Sequence, residues 1–437
     1  IASLVTIMLI NIKYKDNYAT SNTRIQFVYL LILFLGLLSS LISSSPKHAL
    51  IEVLTYLGLS IIAFNIAPAW EKKIFCTFSI LSLILCLVII EAIFLSNYLA
   101  YITLGNNFSI HEFFPTFANV RFFNQHQIWT MPFISFILIQ KHTLLKRYNT
   151  GLWIMSGIWW LMFFSTGSRG VIVSELITIM IIAYLFKSQI KELAIVTMKL
   201  VVFGLISYQL LFYLLPDIIN YNSALLTSPL EIRTNTDNRM YLWNKAFQFI
   251  IKNPLLGIGP MHYAWSEIQN TGILNNISHP HNSLLQWGAE WGLFSLSLIF
   301  MLYIRVLIKW FNKFNIKTLP HLDKNHSNLV ITVTISIISA SVYSLFSGVI
   351  VMPSSQLTAL LPISLMISLY QEKPENQGSI NKNLLNNPYF IASITLLYLA
   401  LLIPDIITII SKGSSNLIDI HQHYPRFWLN GRLLTSL

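Results

Sequence analysis

Charge is what this chain has least of. Only 10% of its 437 residues are Asp, Glu, Lys or Arg, against roughly 25% in soluble domains. With 54% hydrophobic residues and a mean hydropathy of +0.62, that composition specifies an integral membrane protein. Cysteine is nearly absent too. Cys76 and Cys86 share one apolar run; on a helix they stand roughly 15 Å apart, too far for a mutual disulfide. They read as packing residues. Acidic groups outside the apolar runs are sparse, which removes the paired carboxylates of a glycosidase. No serine sits in a nucleophile elbow. Gly257-x-Gly259 has no strand before it and no lysine after it, so it is no phosphate loop. Short alternating strands, the mark of a barrel, are missing. The lack of an internal repeat weighs mildly against the repeat-built transporters. No cleavable signal, lipid-anchor motif or low-complexity tail is read. Because the chain opens at Ile1 without a methionine, a preceding piece is expected.

What is present is a train of apolar runs of spanning length. They predict an all-α, polytopic bundle of about twelve transmembrane helices. The runs lie near residues 1–12, 25–44, 49–67, 74–96, 128–140, 151–165, 171–186, 195–215, 291–311, 329–351, 357–370 and 389–411. The net charge of +11 belongs to the loops between them and does not imply nucleic acid. Lys13, Lys15 and Arg24 lie in one loop, Lys72 and Lys73 in another, and Lys141, Lys146 and Arg147 in a third. Lys187 and Lys191, then Arg305 to Lys324, then Lys373 and Lys382 complete the set. Every second loop is basic, so these loops are expected to face the cytoplasm. The opposite face then receives 97–127, 166–170, 216–290, 352–356 and 412–437.

The expected organisation follows. Residues 1–215 carry N-terminal transmembrane helices with an outer segment near 97–127, and 216–290 form a large outer loop. Residues 291–411 are C-terminal transmembrane helices, and 412–437 an outer tail holding His421, His423, Arg426 and Trp428. A loop as long as 216–290 is usually functional or disordered, and its pattern argues for order. Over Arg239–Ile251, Trp243, Phe247 and Ile250 form an apolar stripe. Lys252-Asn253-Pro254 ends that helix, and Gly257-Ile258-Gly259-Pro260 makes a turn.

The residues able to do chemistry on the outer side are few. In Ser278-His279-Pro280-His281-Asn282-Ser283, Pro280 extends the backbone at His279. Ser283 with Gln286 reads as a capping box, with Asn282 as a competing N-cap. His281 would sit at the mouth of a helix N-terminus, which favours anions and keeps an imidazole neutral. A loop histidine bonded to backbone is the bland alternative, about even in weight. Arg169, in Ser165-Thr166-Gly167-Ser168-Arg169-Gly170, breaks the basic-loop pattern and sits where desolvation is costly; a snorkelling arginine is the alternative. Arg239 falls in the first turn of its helix, an unfavourable place for a cation unless it serves an anionic ligand. Arg233 pairs as readily with Glu231 or Asp237. Arg121, Gln125 and His126, in Asn119–Gln127, offer planar donors and acceptors for sugar hydroxyls, or simply a solvated helix start. His279 and His281 lack a third ligand for zinc, His262 being a weak one; no metal or cofactor is expected. Glu52, Glu91 and Glu175 are read as helix-end residues near the interface rather than an ion path. Two or three arginines and one neutral histidine suit transfer of a group from a lipid diphosphate to a hydroxyl.

At these residues the chain resembles the O-antigen ligase family. His281-Asn282, nine residues, then Gly292-Leu293-Phe294-Ser295 is similar to the family's histidine-and-glycine motif, departing at Ser295. Ser168-Arg169-Gly170, Arg239-x-x-x-Trp243, Asn253-Pro254-Leu255-Leu256-Gly257-Ile258-Gly259 and His279-Pro280-His281-Asn282 follow the order of the family's core over about residues 160–300. The resemblance implies a GT-C-like glycosyltransferase of the bacterial inner membrane with its site facing the periplasm. Its donor would be an undecaprenyl diphosphate-linked glycan, its acceptor lipid A-core, and its chemistry free of metal. Relatives that polymerise glycans or glycosylate protein hydroxyls stay open as alternatives, and the Arg121–Gln127 stretch looks more like the ligase branch. A lipid-linked glycan transporter is the reading of another class. By the resemblance, His281, Arg169 and Arg239 are catalytic, and Arg121, Gln125, His126, Arg233, His279 and Asn282 bind substrate.

Overall fold

The computed structural model describes residues 23–104, 114, 117, 120–140, 147–218, 237–264, 279–371 and 387–412, and the regular structure among them is helical throughout. The helices are α1 (Thr23–Ile42), α2 (Pro46–Ile66), α3 (Lys73–Leu104), α4 (Val120–Gln140), α5 (Asn149–Ser165), α6 (Arg169–Phe186) and α7 (Lys191–Gln209). After them come α8 (Asp237–Lys252), α9 (Ser283–Lys313), α10 (Lys324–Tyr343), α11 (Pro353–Tyr370) and α12 (Pro388–Lys412). Pro46, Pro353 and Pro388 open their helices, where a missing N–H costs nothing. The expected span at 1–12, Arg233 and the tail beyond Lys412 lie outside the described residues.

Five stretches are long and apolar enough to cross a membrane: 46–71, 73–103, 169–214, 283–313 and 324–343. Phe27–Ile42 and Tyr389–Pro404 are shorter apolar helices. Lys187, at φ 49°, breaks the stretch 169–214 into α6 and α7. The chain is an all-α, multi-pass membrane protein. The remaining helices fall short for visible reasons. α5 has only 17 residues, and α4 carries Asn124, Gln125, Gln127 and Thr130 in its first half. α4 begins at Val120, ahead of its apolar run near 128, and α9 at Ser283, the expected helix start, ahead of its run at 291; α10 stops at Tyr343 rather than 351. Glu52 and Glu91 are not helix-end residues but lie inside α2 and α3, both buried.

The chain divides into two compact units. The first comprises residues 1–70, 235–313 and 344–437, and the second 71–234 and 314–343. The second is held by small residues and interhelical hydrogen bonds, the devices that replace hydrophobic drive between helices in lipid. A Cβ on Gly204 of α7 would stand 2.5 Å from Trp160 Cβ and 2.7 Å from its carbonyl carbon on α5. Thr197 Oγ1 donates to Ser135 Oγ at 2.9 Å, joining α7 to α4, and Ser336 Oγ of α10 donates to Trp129 O at 2.8 Å.

In the first unit α1, α2, α9 and α12 share an apolar core that includes Leu35, Leu54, Leu57, Ile61, Trp291 and Ile391. α8 packs on the start of α9 through Leu242, Ala246, Tyr263 and Ala289. The buried stripe of α8 is therefore set by Leu242 and Ala246, each one residue before the expected Trp243 and Phe247, while Ile250 packs against it as expected and Phe247 is half exposed. The turn after α8 pairs backbone to backbone with α9. Ile258 N–H donates to Ala289 O (2.9 Å) and Gly259 N–H to Glu290 O (3.0 Å), while Leu293 N–H donates to Pro254 O (2.8 Å). In an unbroken helix Ala289 O would receive Leu293 N–H and Glu290 O the amide of Phe294. Here both carbonyls turn outward to the neighbouring chain, and α9 breaks at Gly292 (φ 82°, ψ 164°). Ser39 Oγ of α1 completes the joint, donating to Leu256 O at 2.6 Å and to Glu290 O at 3.2 Å.

Glycine is required at both points of contact. A Cβ on Gly292 would lie 2.1 Å from Leu255 O, and one on Gly257 2.5 Å from Glu290 O. Gly292→Ala is expected to lower stability by at least the ~1–3 kcal/mol of a strained backbone position, read as a fall in unfolding temperature in detergent. Gly204→Leu should cost about 1–3 kcal/mol by overpacking, whereas Gly151→Leu, with nothing within 4 Å of its would-be Cβ, should cost little.

Candidate active site

His281 sits immediately before α9 with φ at 56°. A non-glycine residue held there is uncommon and marks a constrained, often functional position. Three contacts hold the turn. His281 N–H donates to His279 Nδ1 at 3.1 Å. Trp243 Nε1 of α8 donates to Pro280 O at 3.0 Å. Asn282 begins the helix behind it, its Oδ1 accepting Leu284 N–H at 3.0 Å and Leu285 N–H at 3.1 Å.

Asn282 is thus the N-cap, and the expected capping box does not form. Ser283 instead gives its N–H to Ser344 O (2.9 Å) and shares a 2.8 Å hydrogen bond between hydroxyls with Ser344. The Gln286 side chain runs along the helix to Glu290 Oε2 at 3.2 Å. With Gln286 N–H bonded to Asn282 O at 3.0 Å, every amide of the first turn from Ser283 to Gln286 has an internal acceptor. The helix mouth is closed by its own cap and offers no free amides to an anion, contrary to the expectation from sequence. Asn282, expected to bind substrate, spends its side-chain oxygen on the cap.

The histidine pair is compact. The rings of His279 and His281 lie 4.2 Å apart between centroids at 76°. Because His279 Nδ1 accepts an N–H, it carries no proton in this arrangement, and the neutral ring holds its proton on Nε2. His279 is buried, and His281 is half-buried with its Nδ1 enclosed. Arg239 is half-buried, one turn before Trp243 on the same face of α8. The Trp243–Pro280 bond therefore ties the helix bearing Arg239 to the turn bearing His281. These two expected residues belong to one unit, joined by a named contact.

Glu290 makes a further link that the sequence reading missed. It is buried, and its Oε1 accepts Tyr263 N–H at 3.1 Å. Tyr263 in turn donates its hydroxyl to Leu242 O of α8 at 2.9 Å. His262 is structural: Ser45 N–H donates to its Nε2 at 2.9 Å, and its Nδ1 pairs with Pro260 O at 2.9 Å. It does not join the histidine pair as a metal ligand. Among the described residues no group of three His, Cys, Asp or Glu side chains is placed to hold a metal ion.

The other candidates belong to the second unit. Arg169 opens α6 after a short turn in which Gly167 has φ 58°, and it is exposed. Arg121 is exposed at the start of α4, Gln125 is enclosed, and His126 is half-buried beside Phe117 and Trp159. The neighbouring amides turn inward. Asn124 Nδ2 donates to Thr166 Oγ1 at 3.0 Å, and Gln127 Nε2 to Trp159 O at 2.9 Å. They tie α4 to α5 and to the turn that leads into Arg169. A cavity of about 620 Å³ in the same unit is lined by residues including Lys191, Glu192, Leu319, Lys324 and Asn328 and holds none of the expected site residues.

Ser344 and Gly348 were also missed, because 329–351 reads as one apolar run. The available signals were the Ser347-Gly348 pair, a turn dipeptide, and Met352-Pro353, which disfavours helix at Met352. Neither a curated protein nor a solved structure matches the chain. Residues 151–300, which contain Arg169, Arg239, His281 and Gly292, match the family model described as O-antigen ligase.

Proposed function

We propose that this chain is a glycosyltransferase that moves a glycan from undecaprenyl diphosphate to an acceptor hydroxyl, with lipid A-core the favoured acceptor. The reaction is assigned to the periplasmic face of the bacterial inner membrane, without a metal. The observation that carries the reading is the turn at His281. It is a strained, multiply anchored histidine tied through Trp243 to the helix of Arg239, within a segment matching the O-antigen ligase model.

In this reading His281 takes the acceptor's proton, and since its Nδ1 is enclosed, Nε2 is the nitrogen that meets the hydroxyl. The acceptor oxygen bonds to the anomeric carbon as the carbon–oxygen bond to the diphosphate breaks. Arg239 is assigned to neutralise the departing diphosphate, as guanidinium forks suit phosphate oxygens, and Arg169 keeps the catalytic role that the resemblance implies. The closed helix mouth leaves that charge to side chains. The outer loop 216–290 is assigned the catalytic elements His281 and Arg239.

His281→Ala is expected to lower transfer by about 10²–10⁴-fold, the usual contribution of a general base, at unchanged protein level in the membrane. Full retention of transfer would overturn the role of His281 as the acceptor's base, and absence of transfer by the unaltered chain with every acceptor would favour a transporter. Arg239→Ala and Arg169→Ala should each weaken use of the lipid-diphosphate donor, with lysine restoring only part of it. Reconstitution with three acceptors, lipid A-core, a second lipid-linked glycan and a pilin-like protein, assigns the acceptor by which one is consumed.

A further inference from the structure

Gly348 lies in the segment between α10 and α11, folded into a turn by Val351 N–H and Met352 N–H, both donating to Gly348 O at 3.1 Å. It is not among the glycines with positive φ, so its backbone does not demand glycine. Space does. A Cβ there would stand 2.6 Å from His279 Nε2, 2.8 Å from Cε1 and 2.9 Å from Cδ2. The imidazole edge occupies the volume a side chain would take.

The turn has no room to retreat. Ile350 O accepts from Tyr56 Oη at 3.0 Å and from Gln356 Nε2 at 2.9 Å. Ser344 clasps Ser283 through both main chain and hydroxyl. Ser347, Val349, Val351 and Met352 are all buried. What yields to an added methyl is therefore the His279 ring, and that ring's Nδ1 is what holds the N–H of His281.

We propose that Gly348 and His279 form a positioning pair for His281: the glycine leaves the slot in which the His279 ring stands, and the ring's Nδ1 fixes the left-handed backbone that aims His281. The proposal rests on the reading of His281 as the acceptor's base. In this assignment His279 is a positioning residue, in place of the substrate-binding role that the resemblance implies. The pair acts through main-chain geometry, so its failure should appear in turnover before it appears in donor binding.

The test is a double-mutant cycle on the full chain in lipid vesicles, with undecaprenyl diphosphate-linked glycan and whichever acceptor the panel above shows to be consumed. Gly348→Ala is expected to lower kcat by about 100-fold, the scale of a misplacement near 1 Å, with little change in donor KM or unfolding temperature. His279→Asn keeps an acceptor at the Nδ1 position and removes Nε2 and Cε1, so it should lose far less. The double variant should then match His279→Asn alone, because the added methyl no longer has a ring to strike. Full activity of Gly348→Ala, or losses that simply multiply, overturns the pair. If Gly348→Ala does not accumulate, His279→Asn against His279→Ala carries the test. Asn should stay at least about tenfold more active, the scale of one hydrogen bond, and equal activities overturn the proposal. His281→Ala in the same assay separates the two levels. Activity retained there removes the reading of His281 as the acceptor's base, whereas activity lost there but kept in Gly348→Ala removes only the pair.

Discussion

The first unit depends on one joint, the backbone-to-backbone pairing of Pro254–Gly259 with Ala289–Leu293. Main-chain polar groups away from water must be satisfied, at a cost of several kcal/mol each if they are not. In most membrane helices they are satisfied along the axis. Here Ala289 O and Glu290 O are satisfied sideways, by Ile258 and Gly259. The exchange conserves the number of hydrogen bonds and changes their direction. It also sets a steric condition, because two main chains this close leave no volume for a Cβ at Gly257 or Gly292. Tyr263, Glu290 and Gln286 then use side chains to extend the joint upward, to α8 on one side and to the start of α9 on the other.

The turn at His281 inherits its rigidity from this joint. His281 adopts a backbone conformation that costs free energy on its own, and it persists because neighbours on both sides over-determine it. His279 and Pro280 fix it from within the turn, Trp243 from α8, and Asn282 and Ser283 from the helix behind. The same arrangement explains why the helix mouth is unavailable to a ligand. Its amides are spent on Asn282 and Ser344.

Sequence reading reached the fold class and the residues of the turn but not their wiring. Composition alone placed the chain in the membrane, because solvent exposure demands charge that is not there. Glycine spacing marked the joint, since Gly257, Gly259 and Gly292 stand out in an apolar context. The partner of each was illegible: nothing local shows that Leu255 O will lie against Gly292. The capping box failed for a related reason. Ser283 and Gln286 satisfy the local pattern, but Ser344 from elsewhere in the chain and Glu290 one turn further along the helix take up their side chains. Gly348 was hidden by hydropathy, because a buried turn flanked by Val349, Ile350 and Val351 has the same mean apolarity as a helix. The stripe of α8 was misread by about one residue, which periodicity tolerates and packing against Ala289 does not.

The break at Gly292 has a mechanical consequence. A continuous helix transmits tilt and axial rotation from end to end as a rod. α9 is two rods, and the short outer one is suspended from Pro254–Gly259, Ser39 and Ser344 rather than standing on the longer one below. Membranes differ in thickness, and spans accommodate the difference by tilting. The segment after Leu293 is free to take up that strain while the segment carrying His281 stays moored to its lateral neighbours. The joint thereby insulates the turn at His281 from changes in the surrounding bilayer.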